Sequence, residues 1–161
     1  RANIYHSRED ALAAIAAGEV KPGDVVVLRG LGVIGGPGMA MTSAVVFALD
    51  GAGLIDQVAV ITEGQLSGLV NKGLVVGEAS PEAAAGGPLG LVDNGDWIAI
   101  DVNRKTVDLE VDAATLAERA RQPRAFGSHE RGGWLKVYQD SVQPVHHGAV
   151  LGRDDARGNR K

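Results

Sequence analysis

None of the 161 residues is a cysteine. No disulfide can form within the chain, and it can offer no thiolate to an iron–sulfur cluster. A reducing, cytoplasmic setting is the expectation that fits. Aromatic residues make up only 4%, too few for the stacking platforms that hold single-stranded nucleic acid. Basic residues form no dense stripe. Arg153, Arg157, Arg160 and Lys161 gather only in the last residues, so no nucleic-acid partner is expected. No run of about 18 apolar residues occurs, and no membrane span is expected. Arg1 is followed by no apolar stretch of the secretory kind, so no signal peptide is expected. A chain that opens on Arg rather than Met reads as one cut from a longer polypeptide.

What is present describes an ordinary globular domain. Hydrophobic residues reach 45%, and the net charge of −4 is mild. A chain of this length has room for one sizeable core. The 23 glycines are about double the usual share and follow no collagen period. They imply tight turns and close backbone approaches.

Along the chain, Ala2–His6 reads as a short strand leading into Ser7, a good helix N-cap, with Glu9 and Asp10 in the first turn. A helical stripe (Ala11, Leu12, Ala14, Ile15) ends at Gly18. Asp24–Leu28 and Gln57–Thr62 are apolar runs suited to buried strands. Between them lie a glycine-dense loop, Gly30 to Gly38, and a helix expected from Thr42 to Leu49. Ser80-Pro81-Glu82-Ala83 carries the residues of a helix start, with Pro at the first helical position. Beyond Gly86-Gly87-Pro88, the segments Leu91–Val92, Trp97–Val102 and Thr106–Val111 read as short antiparallel strands. Asp112 caps a final helix, Ala113 to Arg121, and Trp134–Tyr138 forms an amphipathic patch. With no internal repeat or linker, one mixed α/β domain is expected over residues 1–151, followed by a polar tail, 152–161.

Several motifs carry chemistry. Gly30-Leu31-Gly32-Val33-Ile34-Gly35 matches G-x-G-x-x-G after a strand, the pattern of dinucleotide binding. That pattern needs a helix running on from the glycines, yet Pro37 and Gly38 fall in its path. A plain glycine turn and a backbone-lined ligand loop are the other readings. Thr62-Glu63-Gly64-Gln65-Leu66-Ser67-Gly68 follows a buried strand, where open α/β folds place their ligands. Small residues around Ser67 would let a substrate approach its hydroxyl. This is no nucleophile elbow, and no Asp/His pair is placed by sequence to activate the serine. His146-His147 reads as a solvated pair rather than a metal site, because adjacent side chains diverge. Glu78, Glu82 and Asp96 are possible paired carboxylates with no distance fixed between them. Trp97, Trp134 and Tyr138 read as core or interface anchors.

Taken together, these segments resemble the dihydroxy-acid and sugar-acid dehydratase family. The match runs through Val27-Leu28-Arg29-Gly30, Gly35-Gly36-Pro37-Gly38-Met39 and Ile61 to Gly68. It continues through Val76 to Ala83, Gly86-Gly87-Pro88, Asp93 to Val102 and Gly148-Ala149-Val150. The resemblance implies a swivelling β-barrel-like (β/β/α) domain flanked by helices, at the C-terminus of a hydro-lyase that converts a 2,3-dihydroxy acid to a 2-keto acid. It implies that Ser67 is the base, with Gly38, Met39, Thr62, Gly64 and Gly68 lining the substrate. It also implies an iron–sulfur cluster and Mg²⁺, ligated mainly in a larger N-terminal domain outside this chain, and a homodimer. Branched-chain dihydroxy acids, aldonic acids and phosphogluconate are the substrate candidates. Two departures stand out. The family reads P-G-M-x-E-M where this chain has Pro37-Gly38-Met39-Ala40-Met41, so its metal-ligating glutamate is absent near Ala40 and Met41. The T-D-G-R-F-S-G motif has become residues 62–68 as quoted, and Glu78 stands for the usual His. These departures raise a second expectation: a non-catalytic partner or ligand-binding domain of the same fold.

Overall fold

The computed structural model describes residues 1–38, 40–122, 124–128 and 130–152. Met39 and the tail from 153 onward lie outside the described residues. Four short strands, β1 (Ala2–Tyr5), β2 (Val25–Leu28), β3 (Ala59–Thr62) and β4 (Leu74–Val76), form a parallel sheet in the order β1-β2-β3-β4. Parallel strands require crossovers. Helix α1 (Arg8–Ala16) supplies the first and α2 (Ser43–Gly51) the second. A separate antiparallel hairpin joins β5 (Ile98–Asp101) to β6 (Thr106–Leu109), pairing Ile98 with Leu109 and Asp101 with Thr106. Helices α3 (Ala113–Arg121) and α4 (Gly133–Ser141) follow. The fold is thus mixed α/β, with one parallel and one antiparallel sheet.

The unbroken apolar run of β2 is explained by burial on both faces. Val26 and Leu28 meet Ala11, Ile15, Val45 and Leu49 of the two helices. Val25 and Val27 face the other way, toward Leu89 and Val92, with Ile98, Ile100 and Leu109 of the hairpin only partly buried against them. Helix α1 begins as expected: the Ser7 hydroxyl accepts from the Asp10 N–H at 3.1 Å, a cap worth about 1 kcal/mol. The free edge of β1 is sealed by the Asp93–Asp96 turn. The Ala2 N–H donates to the Asp96 carbonyl at 2.8 Å, and the Ile4 N–H to Asn94 Oδ1 at 2.7 Å.

That turn is tied by ion pairs to α3 and to the segment that follows it. Arg119 contacts Asp96 at 2.6 Å and Asp93 at 3.0 Å, and Arg124 contacts Asp93 at 2.8 Å. The Arg119 hydrogen bond holds the Asp96 carboxyl below the usual aspartate range. A carboxyl lowered in the fold stabilises it above its unfolded value of about 3.9, and that stability is lost as pH falls through the lowered value. Wild type should therefore exceed Asp96→Asn in urea-unfolding free energy by a constant margin above about pH 5. The margin should shrink as the solution is acidified below that. A margin independent of pH would show that Asp96 acts without its charge.

Three expected elements differ. Ser80–Ala83 does not open an α-helix; a single 3-10 turn, Ala83–Ala85, forms and stops at Gly86, whose φ is 83°. Two glycines and a proline in succession leave no room for a second turn. Leu91–Val92 is no strand: Leu91 closes another 3-10 turn, Pro88–Leu91, and Val92 turns into the core. The Trp134–Tyr138 patch is part of a nine-residue helix, α4. Trp97 and Trp134 are not core residues; Trp134 is 75% exposed.

Candidate functional site

The site is built where β3 ends. Thr62 and Glu63 are buried, and the Thr62 hydroxyl accepts from the Gly64 N–H at 2.9 Å, turning the chain sharply. Gly64 is wedged so that an added Cβ would stand 2.7 Å from the Thr42 methyl and 3.3 Å from the Leu31 carbonyl oxygen. Only glycine fits there. The start of α2 holds the rest of the loop. Thr42 Oγ1 donates to the Gln65 carbonyl at 2.8 Å, and Ser43 Oγ accepts from the Ser67 N–H at 2.7 Å. Ser67 is thereby fixed through its backbone while its side chain stays exposed. Its Oγ accepts from the Leu69 N–H at 3.2 Å. Beside it opens a cavity of about 590 Å³ lined by Met41, Ser43, Phe47, Gln65, Ser67 and Glu78, among others.

Of the residues expected to line the substrate, Thr62, Gly64, Ser67 and Gly68 share this one loop. Thr62 and Gly64 are buried and shape it; Gly68 is exposed at its tip. Gly38 is exposed with φ 97°, and a Cβ on it would meet Leu135 of α4 at 3.5 Å. The three carboxylates considered together separate completely. Glu78 reaches the cavity beside Ser67. Asp96 is held by Arg119, and Glu82 is buried elsewhere. His146 Nδ1 lies 2.7 Å from Ser80 Oγ.

Two buried carboxylates do work that the linear sequence hides. Glu63, 1% exposed, accepts from the Gly30 N–H at 2.7 Å and the Ala83 N–H at 2.6 Å. Glu82 accepts from the Ile34 N–H at 3.0 and 3.1 Å and the Gly35 N–H at 2.8 Å. Burial pushes the Glu63 carboxyl up, with nearby Glu82 adding to the rise, while the two N–H donors pull it back. Together they clamp the Gly30–Gly36 loop, the β3 loop and the 82–83 turn into one unit. The dinucleotide reading ends here. The donors at Gly30, Ile34 and Gly35 already serve the protein's own carboxylates, and the next helix starts only at Ser43. Arg29, 6% exposed, extends the same clamp by donating to the Leu89 and Val92 carbonyls at 3.1 and 2.7 Å. Thr42 and Ser43 could have been suspected from their place at a helix start; nothing local announced Arg29 or the partners of the two glutamates.

Residues 1–149 match the family described as "Dihydroxy-acid/6-phosphogluconate dehydratase C-terminal". The chain belongs to this family. Curated relatives agree. A dihydroxy-acid dehydratase of Methanothrix thermoacetophila is 47% identical over 148 residues, which is 92% of this chain and 27% of that protein. One from Pyrococcus abyssi is 44% identical over 152 residues, covering 93% and 27%. One from Trichlorobacter lovleyi is 44% identical over 153 residues, covering 95% and 28%. The chain thus spans little more than a quarter of the length of these relatives. It has no cysteine, and no group of three or more His, Asp or Glu side chains comes together among the described residues. No helix among those residues is long and apolar enough to cross a membrane.

Proposed function

We propose that this chain is the C-terminal domain of a hydro-lyase that removes water from a 2,3-dihydroxy acid to give a 2-keto acid, and that Ser67 takes the C2 proton. In that reaction the C2–H and C3–OH bonds break, water leaves, and the resulting enol becomes the ketone. The observation that carries the reading is the posture of Ser67. Its backbone is held by α2, and its exposed hydroxyl lies beside a cavity, with the Leu69 N–H as its one modest donor among the described residues. A serine hydroxyl is a weak base, so its alkoxide needs further stabilisation from outside these residues. That need, with the quarter-length match, supports a site completed by a larger N-terminal domain of the same polypeptide. The iron–sulfur cluster and Mg²⁺ expected of dehydratases belong to that domain.

Gly38, Met39, Thr62, Gly64 and Gly68 shape the substrate side of the site under this reading. Residues 1–151 are one domain that swings as a barrel-like unit against the missing part, in a cytoplasmic homodimer. A non-catalytic role is the second reading, favoured by Ala40 and Met41 standing where the family has a glutamate.

The test begins with the intact mass of the purified parent protein, and iron and labile sulfide assayed on the same sample. A chain far heavier than 16.6 kDa that carries both, and loses about 10²–10⁴-fold in kcat on Ser67→Ala, supports the proposal. Unchanged turnover in that variant removes Ser67 as the base. A 16.6 kDa protein without iron leaves the non-catalytic reading.

A further inference from the structure

His6 follows β1 and Arg29 follows β2, so both stand at the carboxyl end of the parallel sheet, where open α/β folds bind their ligands. A cavity of about 400 Å³ opens there, lined by His6, Arg29, Leu31 and Gly36 and, from the segment after α3, by Gly127 and Ser128. That volume is within the range of small-molecule clefts. Arg29 is 6% exposed, and a buried cation is stable when it is paired and fully hydrogen-bonded. Among the described residues Arg29 is neither. Its Nη1 donates to the Leu89 and Val92 carbonyls, but its Nε is buried and meets no acceptor. Its Nη2 has only the His6 ring, whose Nε2 lies 3.4 Å away. The face of Phe126 covers the guanidinium, 4.8 Å from ring centroid to Cζ. The two acids that act on this charge are engaged elsewhere, Asp93 with Arg119 and Arg124, and Glu63 with the Gly30 and Ala83 N–H groups. Burial works against the charge, and so does Arg124.

We infer that this cavity takes a small oxyanion, a carboxylate or a phosphate-like group, held by the guanidinium of Arg29 and the ring of His6. The edge of the guanidinium without a firm acceptor is the Nε–Nη2 edge, the fork that matches a carboxylate or phosphate. His6 is the second half of the site. A neutral ring can accept from Nη2, whereas a protonated ring leaves two cations at that distance. An oxyanion beside both nitrogens removes the repulsion and gives each of them an acceptor. The groups facing the ring are Arg29 from the end of β2, Asp10 from α1, and Phe126, stacked with ring centroids 6.4 Å apart. Burial, and then Arg29, hold the ring below the usual imidazole range, while Asp10 pulls the other way. Anion binding therefore brings a proton onto His6, and affinity rises as pH falls. The Ser128 hydroxyl is exposed on the lining and offers a further donor. The oxyanion is either a free solute or a carboxylate side chain from elsewhere in the intact protein, and the chemistry that recognises it is the same. This site does not depend on the reaction at Ser67.

The experiment follows the His6 ring by NMR in the intact protein carrying ¹³C-labelled histidine, with His6→Gln assigning the signal. Sodium sulfate is the probe, because it stays a dianion across the range in which histidine titrates, and chloride keeps the ionic strength constant. The expected result is a saturable rise of the His6 titration midpoint with sulfate. Half-saturation, read from the same signal, should need on the order of tenfold less sulfate at about pH 5.5 than at about pH 8. Arg29→Lys keeps the charge but loses the planar fork, and it should weaken sulfate by about tenfold or more. Where that variant does not fold, the His6 midpoint decides alone. A carboxylate supplied by the protein itself gives a different pattern, a midpoint already above the usual imidazole range and unmoved by sulfate. A midpoint that stays below that range, with no saturable response to sulfate, overturns the inference. Arg29 is then a buried cation that a neutral histidine alone accompanies.

Discussion

Replacing Gly87 with alanine should destabilise this domain severely, while the same change one residue earlier should be tolerated. Gly87 has an ordinary φ of −69°, so its need for glycine is not conformational. It is spatial. A methyl carbon on Gly87 overlaps the Pro81 carbonyl group outright and stands 2.8 Å from the Glu82 carbonyl oxygen. Both obstacles are backbone, and the Gly87 N–H is itself bonded to that Glu82 carbonyl at 2.8 Å, so nothing can swing aside. Gly86 is the reverse case: its φ is 83° and nothing lies within 4 Å of an added Cβ. Gly86→Ala should cost the left-handed penalty of about 1–2 kcal/mol. Gly87→Ala should cost more than about 4 kcal/mol, the range reserved for gross steric or packing failure. For a domain of this size that separates the two melting temperatures by roughly 5–10 °C or more, read by thermal unfolding. Equal melting temperatures would mean that the 81–87 turn relaxes freely, and the clamp described above would lose its rigid anchor.

The contrast also shows which kind of information a linear sequence carries. Helix α1 was legible because Ser7, the acids behind it and the apolar stripe are neighbours in the chain. The two buried strands were legible because burial on both faces writes itself as an unbroken run of Val, Leu and Ile. Ser67 was legible as a loop residue after a buried strand, and the resemblance supplied the role assigned to it. The clamp was not. Glu82 meets Ile34 and Gly35 across 48 and 47 residues, and Glu63 meets Gly30 across 33; no periodicity encodes those pairings. The failed helix at Ser80 has a similar origin. Its capping residues are present, but Glu82 is drawn into the clamp and Gly86 and Gly87 end the turn at once. Helix α4 was seen only as a patch, because it leaves Trp134, Leu135 and Val137 exposed and so lacks a buried face to make its period plain.

The clamp yields the sharpest test of its own geometry, because its two glutamates accept hydrogen bonds in different ways. Glu63 uses one oxygen for each donor: Oε2 takes the Gly30 N–H and Oε1 the Ala83 N–H. Glu82 can serve both of its donors with one oxygen, since Oε2 alone lies 3.1 Å from the Ile34 nitrogen and 2.8 Å from that of Gly35. Truncation to alanine orphans two buried N–H groups at Glu63, and one buried and one half-buried N–H at Glu82, at about 1–3 kcal/mol each. Glu63→Ala and Glu82→Ala should therefore each lose about 2–6 kcal/mol in urea unfolding, with unchanged slope. Glutamine then separates them. With its amide oxygen in the Oε2 position, Glu82→Gln satisfies both donors and should recover most of the alanine loss. Glu63→Gln must turn its NH₂ toward one of the two donors and should recover only about half. Removing a charge whose burial is costly returns some stability at Glu63, so the alanine-to-glutamine difference at each site is the quantity to compare. Equal recovery at the two positions would mean that the carboxylates act mainly by filling space. The glycine loops around Ser67 would then owe their placement to packing rather than to hydrogen bonds.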